Sequence, residues 1–206
     1  MAGWLERLRE RVGRRETAPA KRVRAAIETP RGDLGAWIDR VRGAAADADA
    51  AALALIAAEV PTEGEGALGF WREIAERFGE PWLRVRLAEA ELAGGDTRRA
   101  LDLYMAAFEQ SPELAIDEAD RVRPLAEAEG GEIVFRWQLA ELRAYLDLIP
   151  DDEDWIRERY SELLDAYRDQ PERLARLYEL GKRIRQLEED GVLPQAMVVR
   201  PPRKPR

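Results

Sequence analysis

The sequence predicts an all-α protein built of helical hairpins, and three observations support that prediction. Apolar residues recur at the helical spacing i, i+3, i+4 through most of the chain, and no segment shows sustained period-two alternation. Breaks containing Gly or Pro recur roughly every twenty residues, which is the spacing of helical hairpin repeats. The composition is 46% hydrophobic and 36% charged, as is typical of helices with solvated faces. At 206 residues the chain is long enough to bury a continuous core.

The clearest pattern lies in residues 81–112, where two amphipathic helices flank the turn Gly94-Gly95-Asp96. Asp96 is placed to cap the second helix, and a proline follows that helix to open the next segment. Small residues stand where the two helices must approach, so we expect Ala100 and Ala107 at the contact between them. The apolar stripes are Trp82, Val85, Leu92 and Ala93 on the first helix and Ala100, Leu101, Tyr104, Ala107 and Phe108 on the second.

This hairpin resembles one tetratricopeptide repeat (TPR). The residues that carry the resemblance are Leu87, Ala100 and Pro112 at the family's Leu, Ala and Pro positions, with Ala88, Tyr104 and Ala107 as similar replacements. Arg84 and Glu91 depart from the family's Trp and Tyr. The resemblance covers one repeat and implies a short right-handed solenoid of stacked hairpins. In that family the first helix of each hairpin lines a concave groove.

The rest of the chain is predicted to supply neighbouring hairpins, because one repeat cannot bury its own apolar face. Asp33 is a plausible N-cap for the first of them, and Pro124 predicts a kink or early stop. The pairing of helices after residue 112 stays open. Further helices are expected near residues 46–59, 67–78, 113–128, 132–149, 152–169 and 171–189.

We predict three regions along the chain. Residues 1–30 form a basic amphipathic helix plus a linker, with the linker at residues 16–20 around Pro19. Residues 31–190 form the TPR-like helical domain, and residues 191–206 form a Pro- and Arg-rich tail that we expect to be disordered.

Charge and composition exclude several functions. The net charge is −8, although residues 1–24 hold eight Lys/Arg against three Asp/Glu, so the body is strongly acidic and repels nucleic acid. The chain has no Cys and no His, which excludes thiolate nucleophiles, histidine acid–base chemistry and the usual zinc sites. The acidic residues 151–154 lack the spacing of a calcium loop and are interpreted as helix N-terminal charge. The sequence therefore predicts no enzyme, no cofactor and no metal.

The first functional hypothesis is a non-catalytic scaffold that binds a protein partner in the concave groove. The predicted groove residues are Trp82, Val85, Glu89 and Leu92, a surface suited to an apolar or basic segment. The lysine and asparagine clamp with which some TPR domains hold acidic C-termini is absent, because Val85 and Glu89 occupy its positions. Two alternatives stay open for Trp82, exposure in the groove or packing on the preceding helix.

The second hypothesis is a peripheral membrane adaptor. Residues 3–15 form a short basic amphipathic helix, similar to the N-terminal helices of some peripheral bacterial proteins, and an anionic membrane is its expected partner. The alternative is docking of Trp4 and Leu8 on the protein's own body or on a neighbouring copy. We expect a cytoplasmic protein, in this second case at the inner face of the membrane. The contact residues would be Trp4, Leu5, Arg7, Leu8 and Arg11.

Overall fold

The structure is a computed structural model, and it describes Trp4, Glu6 and residues 17–193. Within that part of the chain every regular element is an α-helix, so the predicted all-α class is confirmed. The helices of residues 17–193 are α1 (Ala18–Glu28), α2 (Leu34–Ala44), α3 (Ala50–Glu59), α4 (Ala67–Phe78), α5 (Pro81–Ala93), α6 (Thr97–Gln110), α7 (Glu113–Asp117), α8 (Ala119–Glu129), α9 (Gly131–Leu148), α10 (Glu153–Ala166) and α11 (Pro171–Glu189).

The chain groups into two compact units, Met1–Ala140 and Glu141–Arg206. These units differ from the regions that we predicted with boundaries at residues 30 and 190. In the first unit, α1 packs on α2 and α3, α4 packs on α5, and α5 packs on α6 over the most extensive contact of the described helices. The largest side chains that are completely buried in this unit are Trp37, Phe70, Trp71, Tyr104, Phe108, Phe135 and Trp137.

Helix α1 corrects the expected linker at residues 16–20. Thr17 caps the helix by accepting a hydrogen bond from the amide of Ala20, and Pro19 lies in its first turn. Proline is tolerated there because a first-turn amide has no helical acceptor in any case. Val23 is completely buried, so residues 18–28 are a packed part of the body.

The α5–α6 hairpin forms as its local chemistry predicts. Asp96 accepts a hydrogen bond from the amide of Arg99, and Gly95 takes a φ of +87°, which favours glycine. Ala88, Ala100 and Ala107 are completely buried. Small side chains at these positions allow the two helices to pack closely.

The break in residues 113–129 lies upstream of the expected position. Helix α8 continues through Pro124 to Glu129, whereas the chain breaks at Glu118, between α7 and α8. Proline leaves the carbonyl of Asp120 without its helical donor, and Asp120 is exposed, so water can satisfy that carbonyl. The consequence of the upstream break is that Glu118 lies in the protein interior, where it is 7% exposed.

In the second unit, α10 packs on α11, so residues 153–166 form the first helix of a pair. Helix α10 ends at Ala166, earlier than predicted. Tyr145 stacks on Trp155 with 3.8 Å between ring centroids. Glu153 and Asp154 lie in the first turn of α10, where their charge complements the helix dipole as predicted.

Candidate functional site

The first unit contains an open cleft of about 410 Å³ between the loop that follows α3, one face of α5, and α8. The loop is held in place by two donors, because Trp71 Nε1 donates to the Pro61 carbonyl at 2.9 Å and Arg86 Nη2 donates to the Val60 carbonyl at 2.9 Å. A second cavity of about 450 Å³ shares Thr62, Glu63 and Ala93 with it. The cleft is lined by Thr62, Glu63, Arg86, Glu89, Leu92, Ala93 and Arg121.

Of the four predicted groove residues, Glu89 and Leu92 line the cleft. Trp82 is half-buried on the same helix. Val85 is completely buried, so its expected place in an accessible groove is wrong. Helix α5 packs on both α4 and α6, and its buried positions extend around much of its circumference. A single apolar stripe therefore does not separate its core side from its open side.

Glu89 is the central charge of the cleft wall. Its side chain is 10% exposed and forms ion pairs with both Arg86 and Arg121. The Arg86 guanidinium also lies 5.3 Å from the centroid of the Trp71 ring. Each of these groups has more than one partner, so the cleft wall is a fixed network in which the Glu89 charge is compensated.

Glu118 extends this network into the interior. Arg121 Nη1 lies 3.4 Å from Glu118 Oε2, and Trp4 Nε1 donates to Glu118 Oε1 at 2.8 Å. Burial raises the pKa of the Glu118 carboxyl, and the nearby charges of Glu89 and Asp117 add to the rise. The Trp4 hydrogen bond and the Arg121 charge oppose it.

Trp4 therefore docks within the first unit. It is 7% exposed, and its ring lies 6.2 Å from that of Trp82 at an interplanar angle of 35°. This contact agrees with the alternative in which Trp4 packs on the protein's own body. The other residues of the predicted membrane contact, Leu5, Arg7, Leu8 and Arg11, lie outside the described residues.

A second buried carboxylate joins the helices beside the cleft. Glu91, 1% exposed, accepts from Arg72 Nε at 2.9 Å and Nη2 at 3.0 Å and pairs with Arg99 Nε at 2.9 Å. It thereby connects α5 to α4 and to α6. Glu91 is one of the two residues that depart from the signature of the resembled repeat.

Burial raises the pKa of the Tyr104 hydroxyl, partly offset by nearby Arg121, so this phenol stays protonated at neutral pH. Among the described residues, no three His, Cys, Asp or Glu side chains are grouped so that they could hold a metal ion. No helix in the described part of the chain is long and apolar enough to cross a membrane.

No protein-family model, curated protein or solved structure matches this chain. The resemblance to a tetratricopeptide repeat therefore depends on residues 81–112 alone.

Sequence reasoning missed Thr62, Glu63, Arg86, Glu118 and Arg121 as residues of this region. Glu118 and Arg121 are spaced i, i+3 on one helical turn, which is the one local signal of their pairing. That signal is weak in a chain that is 36% charged, because such pairs are frequent by chance.

Proposed function

We propose that the protein is a non-catalytic protein–protein interaction scaffold that binds a partner segment in the cleft beside α5. The observation that carries the proposal is the open cleft of about 410 Å³ whose wall contains Glu89 and Leu92. Binding sites in proteins are typically concavities of about this size that combine apolar residues with a few fixed polar groups. The partner is a protein segment.

The proposed architecture is a short right-handed, TPR-like solenoid in which the α5–α6 hairpin is one repeat. Sequential packing of α4, α5 and α6 supports it, since stacked repeats contact their neighbours in the chain. The completely buried Ala100 and Ala107 supply the small residues that close helix pairing needs.

The cleft favours a partner segment with an apolar anchor and a basic residue. Leu92 is half-buried and Ala93 is exposed, so they offer apolar contact at one side. The carboxylate of Glu89 is already compensated by two guanidinium groups. Glu63 is the exposed acid of the lining, and an incoming Lys or Arg would pair with it.

Two leucine variants test this proposal by quantitative affinity capture from cells that make the protein. Leu92→Ser changes the cleft, whereas Leu148→Ser makes the same change at an exposed leucine outside the cleft lining. We expect Leu92→Ser to recover several-fold less of the specific partner than the wild type does, and Leu148→Ser to recover the same amount as the wild type. Circular dichroism should show that both variants are folded. Equal recovery by the two variants would place the binding surface elsewhere.

The membrane adaptor is not adopted as a second function, because the structure contains an observation that weighs against it. Trp4, the largest apolar residue of the predicted N-terminal helix, is 7% exposed and donates its N–H to Glu118. Its insertion in a bilayer would leave the Glu118 carboxylate without that donor.

A further inference from the structure

The contact between Trp4 and Glu118 joins residues that are 114 positions apart in the chain. The indole N–H meets a carboxylate oxygen at 2.8 Å in a buried setting, and the ring lies against Trp82. The described part of the segment before α1 consists of Trp4 and Glu6, and Glu6 is exposed. Trp4 thus inserts one side chain into the body from a segment outside the helices of residues 17–193.

The pocket around this side chain has a definite chemistry. Trp82 on α5 supplies an aromatic surface, and Glu118 at the α7–α8 break supplies an acceptor that is itself 7% exposed. A buried carboxylate is costly without donors, and the two oxygens of Glu118 have different ones. Arg121 lies 3.4 Å from Oε2, and the indole N–H donates to Oε1, so an occupant of this site must supply one N–H beside the Trp82 ring. Indole provides both the flat apolar ring and the single donor.

The pocket is connected to the cleft through Arg121. This residue lines the cleft and pairs with Glu89 there, and it also reaches Glu118 at 3.4 Å. A segment lying in the cleft would therefore have the indole pocket within reach of a neighbouring side chain.

We propose that the pocket formed by Trp82 and Glu118 is the recognition site for a tryptophan of the partner segment, and that Trp4 occupies it until the partner arrives. This inference rests on the proposed function and specifies its partner. The segment it fits carries a Trp followed within a few residues by Arg, as residues 1–16 of the chain itself do. Basic flanks suit this protein because the chain after residue 24 is strongly acidic overall.

The test uses the full chain with Trp4→Ala and a fluorescent synthetic peptide of residues 1–16, measured by fluorescence anisotropy. We expect the variant to bind the peptide at least about tenfold more tightly than the wild type, since a tethered Trp4 competes at a high effective concentration. A matched peptide with Trp4→Phe keeps an aromatic ring but has no N–H, and it should bind about tenfold more weakly. Adding Glu118→Ala to the variant should weaken binding of the tryptophan peptide in the same way.

Absence of peptide binding by a Trp4→Ala chain that keeps its helical content would overturn the inference. Loss of the folded state in that variant would also overturn it, because an exchangeable occupant must be dispensable for folding. The proposed function fails by a different result, equal recovery of the partner by the Leu92 and Leu148 variants. If Leu92→Ser lowers recovery of the partner but Trp4→Ala does not bind the peptide, the proposed function stands and only the indole site is contradicted.

Discussion

Replacing Trp4 with Phe removes the hydrogen bond to Glu118 but keeps an aromatic ring. The smaller ring also leaves some buried volume empty, and the pH dependence of the stability loss separates this effect from the hydrogen bond. The bond measures 2.8 Å from Nε1 to Oε1 and is buried. Hydrogen bonds to charged groups contribute about 1.5–3 kcal/mol, so we expect the variant to lose at least that much unfolding free energy at neutral pH. Urea denaturation followed by circular dichroism measures the loss, with an unchanged m-value as the control for compactness.

The same variant has a predictable pH dependence. The pKa of the Glu118 carboxyl is raised by burial, and the Trp4 hydrogen bond counteracts that rise by favouring the charged form. The bond therefore contributes while Glu118 is ionised and fades as pH falls through its pKa. We expect the difference between wild type and Trp4→Phe to shrink on acidification from neutral pH.

NMR spectra of the indole N–H groups report directly on the hydrogen bond between Trp4 and Glu118 as pH changes. The chain has six Trp residues, so ¹H–¹⁵N spectra contain at most six indole N–H signals, and the variant identifies that of Trp4. The Trp4 signal should titrate with Glu118. A Trp4 signal that does not change with pH, or a stability loss of the same size at acidic and neutral pH, would refute the reasoning.

Further perturbations test other parts of the structure. Glu118→Gln should stabilise the protein at neutral pH. Because burial raises the pKa of Glu118 in the folded state, the free energy of unfolding falls as pH rises above the ordinary pKa of a glutamate, and the uncharged Gln avoids that loss. The gain in urea denaturation should therefore vanish at pH values below that ordinary pKa. Ala100→Leu should overpack the completely buried α5–α6 contact and lower the unfolding free energy by about 1–3 kcal/mol, and an unchanged melting temperature would show that the contact is loose. Gly69→Ala on α4 should gain about 1 kcal/mol, since its Cβ meets nothing within 4 Å. Gly181→Ala on α11 should not show this gain in stability, because its Cβ would lie 2.9 Å from Tyr160 Cζ and closer still to the hydroxyl. Equal increases in unfolding free energy for the Gly69 and Gly181 variants in urea denaturation would contradict this packing. The full chain should remain unbound in flotation with anionic vesicles, since Trp4 is buried, and flotation that weakens with salt would restore the membrane alternative.

Several helix starts were predictable because their signals are local. Asp33 and Asp96 cap α2 and α6 by accepting hydrogen bonds from the amides three residues later, and both residues are visible in the sequence. The paired small residues of α5 and α6 were predictable for the same reason. The prediction of a linker around Pro19 is wrong because proline occurs both in linkers and in the first turn of helices. The burial of Val23, which the local sequence does not show, distinguishes these two cases.

The candidate site was only half predictable. The positions of Glu89 and Leu92 in the cleft were predictable from their place on α5. The burial of Val85 was not, because that helix packs against neighbours on two sides. The charged members depend on long-range pairing. Trp4 meets Glu118 across 114 positions, and Arg121 meets Glu89 across 32, so no local pattern records either contact.

Photo-crosslinking from two neighbouring positions tests the partner-binding cleft most directly. Glu63 and Glu65 are both exposed on the loop before α4, but only Glu63 lines the cleft. A photoreactive amino acid placed at either position should fold equally well, because neither side chain is buried. We predict that position 63 captures a discrete protein partner in cells and position 65 does not, with capture lost in Leu92→Ser. The same products from both positions, or capture that survives Leu92→Ser, would contradict a partner-binding cleft beside α5.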